Sequence, residues 1–446
     1  MDSPIADFVR SYAASGTIRF HMPGHKGKGP LGCEALDITE IAGADSLYEA
    51  GGIIAESEEN ARRLFGTGRT LYSTEGSSQC IRAMLQLILQ NRKPGTSPVV
   101  LAARNVHKAF IYAAALLDLR PEWLWPEGDS CSLLGCPISP RGVAKAMDAL
   151  PEPPAAVYIT SPDYLGNLAD IEAIADVVHE RGSILAVDNA HGAYLHFLEK
   201  PLHPVDLGAD ICCDSAHKTL PVLTGGSYLH ISRNAPAVFS QKARQALALF
   251  GSTSPSYLTL ASLDMCNVYL SGRFRRELAE TVRKLEELKE ELKDRGWGVE
   301  LSDPLRLVIA APEGSSGREL AQGLREKGLE CEYADGDYLV LMFTPANIPE
   351  ELERLKEALG YAPAPPAKPE LLPPPGGKQA MPVRSAMFAP QETVPAAEAL
   401  GRICGAPTVS CPPAVPIAVS GERIGREAVE LFARYGISHV EVVKEQ

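Results

Sequence analysis

Short apolar runs alternate with amphipathic stretches over residues 74–260. Residues 99–102, 156–160, 184–187, 211–213 and 227–231 are apolar almost throughout, as strands buried on both faces must be. Before and between them apolar positions recur at helical spacing, at Ile81, Met84, Leu85, Ile88 and Leu89 and again over 171–180. Residues 53–64 carry a helical pattern as well. Alternation of this kind predicts an α/β fold with a mostly parallel sheet covered by helices.

After Leu270 the pattern changes. Residues 275–294 form a charged amphipathic helix with Leu278, Val282, Leu285, Leu288 and Leu292 on one face. Residues 305–311, 322–327, 338–343 and 349–359 then read as strand, helix, strand, helix. Residues 361–375 are dense in proline and end at Gly376-Gly377, the composition of a semi-rigid linker. The expected organisation is an N-terminal arm (1–30, with His21, His25 and Lys26), a large domain (31–270), a small α/β domain (271–360), a linker (361–380) and a C-terminal module (381–446) with a helix near 426–435.

Candidate chemistry gathers around Asp214-Ser215-Ala216-His217-Lys218-Thr219-Leu220, which runs on to Gly225-Gly226-Ser227. A lysine just past a buried strand points into the crevice at the sheet's edge. Desolvation there lowers the pKa of an amine, and a neutral amine can form a Schiff base. Taken alone, the stretch reads more readily as a loop with a surface lysine. Thirty positions earlier the run 184–187 ends in Asp188, followed by Asn189-Ala190-His191-Gly192. An aspartate there faces the ligand crevice of an open α/β sheet and can pair with a protonated ring nitrogen, although a turn-capping aspartate is common. Further back, Gly76-Ser77-Ser78 opens a helical pattern and presents N–H groups and hydroxyls to an anion. An ordinary serine N-cap is the plain alternative. Phosphate turn, strand-end aspartate and lysine, in that order, weigh more than any one of them.

With these pieces in place the chain resembles the pyridoxal-phosphate (PLP) enzymes of the aspartate aminotransferase fold (fold type I). Among them it resembles the ornithine/lysine/arginine decarboxylases in a short form without a receiver-like domain. The likeness rests on motifs from Phe20-His21-Met22-Pro23-Gly24-His25-Lys26-Gly27 through Asn105-Val106-His107-Lys108, Thr160-Ser161-Pro162, Asp188 to His191 and Ser215 to Lys218. It continues to Ser252-Thr253-Ser254-Pro255-Ser256-Tyr257, Pro382-Val383-Arg384 and Gly421-Glu422. The resemblance implies PLP on Lys218, a ring nitrogen paired with Asp188, and a phosphate held by Gly76, Ser77, Ser78 and Ser215 with His217. It also implies His107 stacked on the ring, Ala190 packed beneath it, His191 near the pyridine, and His217 as proton donor. The implied reaction is decarboxylation of arginine, lysine or ornithine, as in polyamine biosynthesis, by a cytoplasmic homodimer or higher homo-oligomer in which Ser252–Tyr257 approaches the partner's cofactor. Another PLP reaction of the fold, an aminotransferase or aldolase, or a catalytically silent binding homologue, is the alternative.

Charge and cysteine usage narrow the picture. With 56 acidic against 43 basic residues the net charge is −13, which argues against a nucleic-acid footprint and suits a small cationic substrate. Asp45, Asp163 and Glu422 are the carboxylates expected to meet its distal charge, each equally readable as a turn carboxylate. The ten cysteines are scattered without metal spacing, so reduced thiols and no metal are expected. No apolar run reaches the roughly 20 residues of a membrane span. Five positions depart from the family pattern: Glu75 for a neutral asparagine, Ala109 for serine, Asp163 for threonine or serine, and Cys411 and Ala414 for the ends of a Tyr-Pro-Pro-Gly sequence.

Overall fold

A computed structural model describes every residue except 129–130, 369, 410–414 and 446, so the departures at Cys411 to Ala414 lie outside the described residues. The chain divides into two compact units. Residues 1–98, 152–159 and 171–276 form the first, and residues 99–151, 160–170 and 277–446 the second. The seven strands of the main sheet are β1 Arg69–Ser73, β2 Val99–Ala103, β3 Arg120–Leu124, β4 Ala156–Thr160, β5 Ile184–Asp188, β6 Ile211–Asp214 and β7 Ser227–Ile231. Their order is β1-β7-β6-β5-β4-β2-β3.

The predicted apolar runs are all strands. Leu185, Ala186, Val187, Ile211, Cys212 and Cys213 are wholly buried. β5 and β6 each run one residue beyond the apolar pattern, taking in Asp188 and Asp214. β5 and β6 are parallel, whereas β7 runs against both β6 and β1. Residues 215–226, which link β6 to β7, hold a single helical turn, Ala216–Thr219, and the strand returns antiparallel. The pattern did not show β1 or β3. Pro121 lies in β3, and a residue without an N–H is tolerated at the end of the strand order.

In the first unit the helices α1 Pro4–Ala14, α2 Ile53–Leu64 and α3 Ser77–Asn91 follow their apolar stripes. Ser3 gives α1 no side-chain cap. Asp264, from the helix Tyr257–Ser271, does so instead, its Oδ2 accepting the N–H groups of Ile5 and Ala6 at 3.0 Å each. Its other oxygen accepts from the Ser57 hydroxyl.

In the second unit α4 spans Lys108–Leu117. A four-stranded antiparallel sheet is built from β8 Gly298–Val299, β9 Arg306–Ala310, β10 Tyr333–Ala334 and β11 Tyr338–Met342. The helix expected at 322–327 starts earlier, at Gly317. The cause is a capping box, in which Ser316 Oγ accepts from Glu319 N and the Glu319 carboxylate accepts from Ser316 N at 2.8 Å. The C-terminal residues add the antiparallel pairs β12 Gln391–Pro395 with β15 His439–Val443, and β13 Thr408–Val409 with β14 Ala418–Val419, around the helix Arg426–Arg434. Val308, Val340, Ile417, Phe432 and Val442 share one core. Among the described residues no helix is long and apolar enough to cross a membrane.

The Asp264 cap makes stability pH-dependent. Burial raises its carboxyl to about 6, above the ordinary 3.8. Between those values the folded chain holds a proton that the unfolded chain has released, so this group's contribution falls as pH rises through the window. The stability of the wild type relative to Asp264→Asn, from urea midpoints, should fall by at most about 3 kcal/mol between about pH 4 and about pH 7. A difference that does not change with pH would contradict this role.

Candidate active site

The first unit gathers the candidate site at the carboxyl ends of two parallel strands. In the β5/β6 register Asp188 lies opposite Cys213. The segments that leave the strands, Asn189 to Gly192 and Ser215 to Thr219, therefore emerge side by side at the edge where open α/β sheets bind ligands. They meet directly, with Lys218 Nζ 3.0 Å from His191 Nε2.

Behind Lys218 the turn is closed by backbone. The N–H of His217 donates to the Gly226 carbonyl at 3.2 Å, and the N–H of Gly76 to the Gly225 carbonyl at 2.8 Å. Gly225 has φ +93°, and a Cβ there would sit 2.6 Å from the Thr74 carbonyl, so no other residue fits. Ser215 Oγ reaches Ser77 Oγ at 2.8 Å. Gly76 caps α3 without a side chain, which leaves the helix's first N–H groups to whatever lies in front of them. Glu75, the charged departure, is turned to the backbone N–H of Ser252 in the same chain.

The charges are arranged unevenly. Asp188 is 2% exposed. Its oxygens meet the Tyr158 hydroxyl at 3.3 Å and the Cys213 thiol at 3.7 Å. Burial raises its pKa, and the nearby Lys218 charge offsets this only in part. A carboxylate so placed can take a protonated pyridine nitrogen as a further cationic partner. His217 is pushed below its ordinary value, first by burial. Its Nδ1–H donates to the Gly226 carbonyl at 3.0 Å, so a proton it hands on must first be taken up at Nε2. Ala190 is half-buried and His191 buried. The expected cofactor residues of this unit thus lie on three adjoining turns, and the donor set fits PLP: open helix N–H groups and hydroxyls for a phosphate, an underpartnered carboxylate for a ring nitrogen, and an amine. His107 belongs to the second unit, where it caps α4, its Nδ1 accepting from Ala109 N at 3.2 Å.

The three carboxylates expected at the substrate's distal charge are held by the chain's own donors. Asp45 accepts from the N–H groups of Ser46, Gly51, Gly52 and Ile54. Burial opposes its charge, but these bonds outweigh it and lower its pKa. Asp163 is 4% exposed and accepts from Cys136 N, Asn167 N and Asn167 Nδ2 at 2.9–3.0 Å. Glu422 is 1% exposed and takes Arg104 in a two-pronged ion pair, at 2.7 and 2.8 Å. The Arg104 guanidinium lies 4.7 and 4.6 Å from the ring centres of Trp123 and Trp125. The chain's own donors thus engage all three. The described cysteines are free thiols. One grouping the sequence reading missed is His203, Asp214 and His230, fully buried beside the site. Only Asp214 stood within a recognisable motif.

The fold is that of the PLP-dependent transferases. It aligns over 99% of the chain with the constitutive lysine decarboxylase of Escherichia coli, at TM-score 0.79, 18% identity and 82% coverage of that chain. A serine palmitoyltransferase of Sphingomonas wittichii aligns more loosely, at TM-score 0.56, 15% identity, and coverage of 80% of this chain and 82% of that one. An arginine decarboxylase of Bacillus subtilis is 29% identical over 460 residues, covering 96% of this chain and 92% of its own. One from Halalkalibacterium halodurans is 28% identical, covering 95% and 91%. Residues 3–309 match the family described as Orn/Lys/Arg decarboxylase, major domain, and the chain belongs to that family. The expected fold and family both stand, and the family implies PLP.

The Glu422 assignment is testable. Removing one partner of a buried pair strands the other charge, so Glu422→Ala should lower unfolding stability by about 3–5 kcal/mol. Any folded enzyme that remains should keep its substrate KM. A variant of normal stability with a raised KM would return Glu422 to substrate recognition.

Proposed function

We propose that the protein decarboxylates a basic amino acid with PLP held on Lys218. The observation that carries this reading is Asp188, a desolvated strand-end carboxylate whose burial the nearby Lys218 charge offsets only in part. The near-full-length relatives named arginine decarboxylases put arginine first, ahead of lysine and ornithine.

When bound, the cofactor supplies an electron sink for the pair released as the Cα–carboxylate bond breaks. The chain's residues supply the rest. Asp188 would accept a hydrogen bond from the ring nitrogen and hold it protonated. Ser77, Ser78 and Ser215, with the open N-terminus of α3, would hold the phosphate. Lys218 would provide the amine, oriented by His191. His217 Nε2 would take up a proton and return it to the substrate carbon. Ala190 leaves room beneath the ring, and His107 keeps the ring-stacking role by family likeness alone. The same reading takes the working form as a cytoplasmic homodimer in polyamine metabolism, with Ser252–Tyr257 near the partner's cofactor.

Carbon dioxide release across a panel of amino acids tests the reaction. The expected result is turnover of arginine, lysine or ornithine to the amine. Turnover confined to neutral or acidic amino acids, or keto-acid formation without carbon dioxide, would overturn it. Asp188→Asn should retain the cofactor but lose roughly 10²–10³ in kcat, because an amide cannot hold the ring nitrogen's charge. Near-normal turnover would make Asp188 a structural residue.

A further inference from the structure

Asp214, the last residue of β6, is 0% exposed, yet it is held as a carboxylate. Burial opposes its charge, and His203 and His230 outweigh that and lower its pKa. His203 Nε2 lies 3.0 Å from Oδ2, and His230 Nε2 lies 3.1 Å from the same oxygen. The protonation of both rings follows from their far sides. Val205 N–H donates to His203 Nδ1 at 3.4 Å, so Nε2 carries the hydrogen. The Thr70 hydroxyl, 2.7 Å from that of Thr67, can accept from Thr67 and donate to His230 Nδ1 at 2.9 Å, which leaves His230 Nε2–H for Asp214. Phe65 closes the pocket, its ring centre 4.5 Å from His230 and 5.8 Å from His203.

The remaining oxygen reaches across to the next strand. Asn189 Nδ2 donates to Asp214 Oδ1 at 2.7 Å, and Asn189 N–H donates to the Cys213 carbonyl at 3.0 Å. Asn189 follows Asp188 directly, and Ser215 follows Asp214. Gly192 leaves the room this needs, since a Cβ there would fall 2.0 Å from Asn189 Oδ1. Although three potential metal ligands lie within 4.8 Å of one another, both imidazoles already present hydrogens to the carboxylate, and the cluster is satisfied by hydrogen bonds.

We propose that Asp214 is a positioning residue: clamped by His203 and His230 and grasping Asn189, it locks the ends of β5 and β6 together and sets Asp188 against the Ser215–Lys218 turn. The catalytic consequence rests on the cofactor reading above, but the geometric one does not.

Asp214→Asn tests it, with Asp210→Asn as the control for lost stability. Asp210 sits at the opposite end of β6, accepting from Leu185 N–H and bonded to His179. In the apoprotein, hydrogen exchange of the amides at 189–191 and 215–219 should rise about tenfold or more in Asp214→Asn and stay near wild type in Asp210→Asn. In the holoenzyme, PLP dissociation followed by absorbance should weaken about 10- to 100-fold and kcat should fall with little change in substrate KM. Equal behaviour of the two variants, or unchanged exchange in Asp214→Asn, would overturn the proposal. So would stoichiometric zinc in the wild type whose chelation reproduces the variant. Should Asp214→Asn fail to fold, His230→Gln must show the same localised exchange. If the wild type binds no PLP, the cofactor reading falls and the apoprotein exchange alone decides the anchor.

Discussion

A carboxylate taken out of water is costly unless hydrogen bonds and charge replace its hydration. Two adjacent parallel strands here end in such a carboxylate, and the chain treats them oppositely. Asp214 receives two imidazoles and an amide and stays charged. Asp188, equally buried, receives a phenol and a thiol at longer range, and burial raises its pKa. One carboxylate is completed by the fold. The other keeps a burial cost that the nearby Lys218 offsets only in part, and that imbalance distinguishes the two strand ends.

The remaining features of the first unit serve this pair. The wholly apolar interiors of β5 and β6 supply the dry surroundings in which the difference matters. The reversal into β7 brings Gly225 and Gly226 back against Gly76 and His217, so the phosphate turn and the lysine turn share one backbone frame. In the second unit the same rule explains Glu422, which with Arg104 and two indoles forms a closed cluster rather than a free charge. A buried acid in this protein is a structural group wherever the chain supplies its donors.

Much of this was legible beforehand. The apolar runs located β2, β4, β5, β6 and β7, and the motif order picked out Gly76, Asp188 and Lys218. Periodicity could not show that β5 and β6 extend to their aspartates, because a charged residue ends an apolar pattern whether or not the strand continues. The reversal of β7 carried no mark in its apolar pattern, which is the same in a parallel or an antiparallel strand. Partners distant in sequence carried no local signal. His203 and His230 lie 11 and 16 positions from Asp214, and Asp264 caps a helix more than 250 positions away. Composition likewise marks the acidic turns at Asp45, Asp163 and Glu422 but not the donors that the fold brings to them.

The central claim is that the lysine turn beside Asp188 is where the cofactor is held. Borohydride reduction of the PLP-loaded protein, followed by peptide mapping, tests it most directly. A single pyridoxyl label on Lys218 is expected. A label on another lysine, such as Lys26 or Lys108, or no label after loading, would contradict it.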